Sequence, residues 1–167
     1  MSESVRSMIF GVSALYVIAI IAFTLTVTRR LKSPDPARLG QFLYLYLFCI
    51  ACQCLHFLEE MLTGFHHRFP AFLGLAPWSI DFFVTLNVTF IALFVIAAIG
   101  IQKQIRAAYF LVWFLILAGI VNIIAHPLLS IATQGYFPGL FTAPIVGLIG
   151  FALAARLWKL TEPALQP

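Results

Sequence analysis

Charge is what this sequence has least of. Among 167 residues there are ten Lys or Arg and six Asp or Glu, while 62% of the residues are hydrophobic. A soluble domain of that length has to cover its core with polar side chains, and too few are present to do so. Long runs of like charge are missing as well. The formal net charge of +4 is dispersed in short basic blocks beside apolar runs, which excludes a basic nucleic-acid-binding face and reads as a set of topology signals. Cysteine is scarce: Cys49, Cys52 and Cys54 are the three, all inside one apolar stretch. An odd count in that setting argues against a disulfide framework and suits small packing residues, with Cys52, one turn before His56, a lesser ligand candidate. Glycine-rich phosphate loops, nucleophile elbows, dinucleotide fingerprints and the HExxH zinc motif are absent, and there is no second HxxE for a two-metal centre.

What the chain does have is apolar length. Five segments are long enough for membrane helices, at about 8–28, 40–63, 78–100, 107–130 and 138–158. The expected fold is therefore all-α: a polytopic membrane helix bundle, one transmembrane domain over 1–167, with membrane lipids around it and no nucleic acid among its partners. The first segment does not read as a cleavable signal, because its apolar core is too long and no small-residue cleavage site precedes "TRRLK". Pro34 and Pro36 stop the chain from continuing as helix after it. Eight basic residues (Arg29, Arg30, Lys32, Arg38, Lys103, Arg106, Arg156, Lys159) fall on one side of the expected bundle and two (Arg6, Arg68) on the other. The positive-inside rule then predicts the N-terminus outside and the C-terminus in the cytoplasm.

Against this background "CLHFLEEML", residues 54–62, stands out, because it places two of the six acidic residues side by side near the end of an apolar run. His56 with Glu59 and Glu60 are spaced i, i+3 and i+4, and Asn122 with His126 i, i+4, so each set shares a helix face. At a rise of 1.5 Å per residue His56 lies roughly 24 Å and His126 roughly 28 Å from the basic side. Asp81 enters its helix from the other side at a comparable level. Ionisable groups at such depth cost about 2.5–3.5 kcal/mol on insertion scales, so they face the protein interior or water. Plainer readings exist for each taken singly. The glutamates can reach the headgroups, His126 can be a packing residue, Asn122 can join helices, and Ser79 or Asp81 can cap a helix. His66 and His67 read as solvated loop residues.

"HFLEE" (His56–Glu60), followed by "NIIAH" (Asn122–His126) and the aromatic-x-Pro-Gly stretch of "YFPGLFTAP" (136–144), resembles the HxxEE family of small bacterial integral membrane proteins. The resemblance runs from the second apolar segment onward. It implies a multi-pass protein of the bacterial inner membrane with those polar residues as its site. It supplies no reaction, the family's biochemical function being unassigned.

Three functions fit the residues. The first is a metal-dependent membrane enzyme. His56, His126 and a carboxylate from Glu59 or Glu60, with Glu60 the ligand chosen, form a two-histidine, one-carboxylate set of the type used by zinc and non-haem iron; the remaining glutamate serves as general base, and Asn122 orients a ligand or polarises the substrate. A site at bilayer depth favours a lipid or other apolar small molecule as substrate. The second is a metal-free glutamate/histidine acid–base enzyme, an isomerase or intramembrane hydrolase. The third is a proton- or ion-binding transporter subunit, which with so few helices implies a homo-oligomer.

Overall fold

The computed structural model describes residues 3–32 and 35–164, and the described chain is almost wholly helical; Pro34 lies outside the described residues. The helices are α1 (Glu3–Gly11), α2 (Ser13–Thr28), α3 (Pro36–Leu62), α4 (Phe65–Phe72), α5 (Ile80–Gln102), α6 (Ala108–Ala132) and α7 (Ala143–Leu160). Two three-residue strands, β1 (Arg29–Leu31) and β2 (Thr161–Pro163), complete the order. Helices α3, α5, α6 and α7 are long and apolar enough to cross a membrane. Large apolar side chains such as Ile20, Tyr44, Ile96, Leu128 and Leu148 are exposed on the outside of the bundle. Both features mark a membrane protein, since lipid and not water is the solvent such surfaces suit.

The helix ends follow local chemistry. The Asp35 carboxylate accepts the Ala37 amide at 3.1 Å, and Pro36, whose missing N–H is no loss there, opens α3. The Ser79 hydroxyl accepts the Phe82 amide at 3.2 Å to start α5.

Three expectations change. The first apolar segment, expected as one helix over 8–28, is divided at Val12, and α2 by itself has 16 residues, about 24 Å. Gly11 lies so close to the Trp78 ring that a Cβ there would overlap it, so this tight contact coincides with the break. Apolar residues continue across it, and hydropathy cannot register it. The link 64–77 contains a helix, α4, held by stacking of Phe65 on Phe69 and on Phe83. The last helix begins at Ala143, not near 138, because Gly139 has φ +88°, outside any right-handed helix.

Helices α6, α7, α3 and α5 form a closed cycle in which each packs on the next, and α2 lies against α6 outside it. The α6–α7 seam is the most extensive. It is tight because Gly119, Gly147 and Gly150 remove side chains where the backbones approach; a Cβ on Gly147 would come within 2.9 Å of the Gly119 carbonyl oxygen. At one end of the bundle β1 and β2 pair antiparallel, Arg30 opposite Glu162, and Arg106 donates to the carbonyls of Thr26 and Val27. The basic segments 29–32, 103–106 and 156–162 therefore share one side. At the other end Trp78 ties α1 to α4, its indole N–H donating to the Ser7 carbonyl and its amide to that of His66.

Candidate metal centre

The end away from the β1–β2 pair holds the polar cluster. Helical phase decides its composition. Four residues separate His56 from Glu60, which brings both to one face of α3, whereas Glu59, about 100° away, is directed at the segment between α6 and α7. His56 and Glu60 are buried, as is His126 from α6, and their ligand atoms lie within 4.8 Å of one another, a group able to hold a metal ion. Glu60 Oε1 is 3.6 Å from His56 Nε2 and 3.5 Å from His126 Nε2. The two rings stand edge to face with centroids 4.9 Å apart.

Hydrogen bonding at the far side of each ring fixes what faces Glu60. His126 Nδ1 lies 2.6 Å from the Pro138 carbonyl oxygen. A carbonyl only accepts, so Nδ1 carries the proton and in the neutral ring Nε2 presents a bare lone pair. His56 Nδ1 lies 2.8 Å from Thr142 Oγ1, and that hydroxyl donates its single proton to Glu59 Oε2 at 2.5 Å. Thr142 therefore accepts from His56 Nδ1–H, and His56 Nε2 is likewise unprotonated. Asn122 Nδ2 is 3.1 Å from that Nε2 and donates to it. Two imidazole nitrogens and a carboxyl oxygen thus converge on one small volume. The Asn122 N–H meets the His56 lone pair, and a metal ion, or a proton shared between Glu60 and His126, would satisfy the remaining acceptors.

The segment Thr133–Thr142 is the part of the site that sequence reasoning did not identify. Glu59 secures it: its carboxylate accepts the Thr142 amide at 2.9 Å, the Phe141 amide at 3.1 Å and the Tyr136 hydroxyl at 2.7 Å. Burial and then the Glu59 carboxylate hold the Tyr136 hydroxyl above its ordinary pKa, so it remains a donor. Gly139 crosses over both rings, and a Cβ there would collide with His126 and come within 2.9 Å of His56 Cε1. The only advance signal for this segment was its aromatic-Pro-Gly sequence.

Other candidates lie elsewhere. Asp81 is exposed in the first turn of α5, which Ser79 and not Asp81 caps, and it takes no part in the cluster. Cys52 is buried but outside the His56, Glu60 and His126 group. His66, expected in solvent, is buried in α4 with its ring stacked on Phe83, while His67 is exposed.

From Glu60, Asn122 and His126 a cavity of about 210 Å³ runs toward the interior of the bundle, past Gln53 and Asn87 to Phe90 and Phe94. Its walls are mainly apolar. Gln53 Oε1 is buried with no hydrogen-bond partner among the described residues. Helices α2 and α5 flank the cavity and pack little on each other.

No curated protein and no solved structure matches the chain. The profile of the family described as "Protein of unknown function with HXXEE motif" matches residues 46–154, a span that takes in His56, Glu59, Glu60, Asn122, His126 and the whole covering segment. The chain belongs to the HXXEE family.

Proposed function

We propose that this protein is a membrane-embedded, metal-dependent enzyme acting on a lipid or other apolar substrate. The observation that supports it most is the convergence of His56 Nε2, His126 Nε2 and Glu60 Oε1, each imidazole having its other nitrogen engaged behind it. Two histidines and one carboxylate, with a neighbouring position left open, suit zinc and iron(II). When bound, such an ion supplies Lewis acidity to a carbonyl or phosphoryl oxygen.

The chain's own residues do the remainder. Glu60, His56 and His126 hold the ion. Thr142 and the Pro138 carbonyl keep the histidine tautomers that make this feasible, in the way second-layer hydrogen bonds commonly orient metal ligands. Glu59, already accepting four hydrogen bonds, acts as a positioning group and not as the base. The Asn122 amide, turned over, offers Oδ1 to the ion or to a substrate hydroxyl. An apolar chain fits the cavity beside α5 and reaches it from lipid between α2 and α5. The unpaired Gln53 oxygen favours a substrate that also carries a hydroxyl or amine donor.

The test is elemental analysis of protein purified in mild detergent without chelators. About one equivalent of zinc or iron, lost in His56→Ala and His126→Ala while both variants remain folded, is the expected result. A wild type without metal overturns the metal reading. It then favours the second one: a proton held between Glu60 and His126, with the Asn122 N–H on His56, also serves the three converging atoms, and Glu60 and His126 would be an acid–base pair.

A further inference from the structure

At the opposite end of the bundle a second cavity, of about 250 Å³, lies among the end of α2, the β1–β2 pair and the start of α6. Three arginines line it: Arg29, Arg30 and Arg106. Arg30 is paired with Glu162 at 3.1 Å. The other two have no acidic partner among the described residues, and their bonds go to neutral groups. Arg29 donates through Nε to the Thr161 hydroxyl and through Nη2 to the carbonyls of Trp158 and Thr161, with its guanidinium 3.5 Å from the centre of the Trp158 ring. Arg106 donates through Nε and Nη2 to the carbonyls of Thr26 and Val27. These bonds immobilise both guanidinium groups, neutralise neither, and leave Nη1 of each without a protein acceptor among the described residues.

A second feature of the same cavity points to a ligand. Tyr109, also in its wall, is 7% exposed, and its hydroxyl is buried with no hydrogen-bond partner among the described residues. Leaving a buried hydroxyl unpaired is costly, and a phenylalanine of nearly the same shape avoids the cost. A donor maintained there, beside two fixed and uncompensated positive charges, suits an acceptor-only anion. Guanidinium groups match phosphate oxygens in both geometry and charge.

We infer that this cavity is a binding site for a phosphate group, with Arg29, Arg106 and the Tyr109 hydroxyl as donors. Its place at the ends of α2 and α6, where the basic segments gather, is within reach of the phosphodiester of an anionic lipid headgroup; free phosphate carries the same chemistry. The site is far from His56 and Glu60 and does not depend on a metal there.

The experiment uses the full chain, delipidated in a neutral detergent, with native mass spectrometry and three probes: phosphatidylglycerol, phosphatidylcholine (whose phosphate is screened by its own cation) and inorganic phosphate. Phosphatidylglycerol should be retained about tenfold more strongly than phosphatidylcholine. Tyr109→Phe, which deletes one oxygen, and Arg106→Gln should each reduce that preference roughly tenfold, the scale of one hydrogen bond to a charged group. Inorganic phosphate that displaces the lipid locates recognition in the phosphate group. Phosphate binding that depends on Tyr109, without lipid preference, assigns the site to free phosphate. Equal retention of both lipids together with no phosphate binding overturns the inference. So does a folded Tyr109→Phe protein that binds the anionic probes as the parent does. Arg106→Lys, which preserves the charge, separates lost anion binding from lost folding: it should restore part of the binding.

Discussion

His126 Nε2 and Glu60 Oε1 face each other across 3.5 Å with no hydrogen on the nitrogen of the neutral ring, because the His126 proton sits on Nδ1, where it is donated in a hydrogen bond to the Pro138 carbonyl. Acceptor facing acceptor inside a bundle is the relationship on which the proposed metal centre rests. It makes Glu60 and Glu59 unequal although they are neighbours in sequence.

Glu60→Gln keeps the shape of the side chain and removes its charge. Metal content in detergent should fall by an order of magnitude or more, with helix content by circular dichroism unchanged. Glu59→Gln should retain the metal at high metal concentration. Its effect should appear as weaker affinity in a chelator competition, since the amide cannot accept from Tyr136, Phe141 and Thr142 together. Equal metal loss in both variants would refute the division of roles.

Thr142→Val deletes one oxygen between His56 and Glu59. Without it the His56 Nδ1–H loses its acceptor, and only the Asn122 amide still favours the Nε2 lone pair. The expected cost is about 10–100-fold in metal affinity, typical of a lost second-layer partner, and Thr142→Ser should recover most of it. An unchanged affinity in the valine variant would mean that Thr142 serves only the loop.

Gly139→Ala tests the segment that covers the site. A left-handed residue with a Cβ costs about 1–2 kcal/mol from backbone geometry alone. The added methyl also meets the His126 ring. Thermal unfolding should shift downward, and metal content should fall with it. By contrast Gly40→Ala, where a Cβ has open space around it, should leave both unchanged or raise stability slightly.

The cluster of His56, Glu60 and His126 was legible in the sequence because a membrane helix is nearly all apolar, so each exception carries information, and i, i+4 spacing reports a shared face without any tertiary knowledge; His66, read as a solvated loop residue, was not. Glu59 was legible as a polar residue but not in its direction, since its partners Tyr136, Phe141 and Thr142 lie about 80 positions away in a segment with no periodicity. The break at Val12 was hidden because hydropathy stays high on both sides. The β1–β2 pair was hidden because three-residue strands leave no pattern. Pairing Arg29 with Pro163 is decided by where α2 and α7 end, not by strand propensity in either tripeptide.

The same pairing gathers basic residues at one end of the bundle. Arg29 contacts Thr161 and Arg106 contacts Thr26, so the ends of α2 and α7 and the start of α6 form one basic surface, while His56, Glu60 and His126 lie toward the opposite ends of α3 and α6. The positive-inside rule predicts that the basic surface faces the cytoplasm, which would place the proposed metal centre in the outer half of the bilayer. Replacing Cys49, Cys52 and Cys54 by alanine gives a background for labelling single cysteines in whole cells with a membrane-impermeant thiol reagent. Lys103→Cys, exposed beside Arg106, should react only after the cells are opened, whereas Ala132→Cys, exposed at the end of α6, should react in intact cells. The reverse pattern would turn the centre toward the cytoplasm and leave its geometry untouched. The experiment therefore separates which compartment the site faces from whether the site exists, and only the first depends on the distribution of charge.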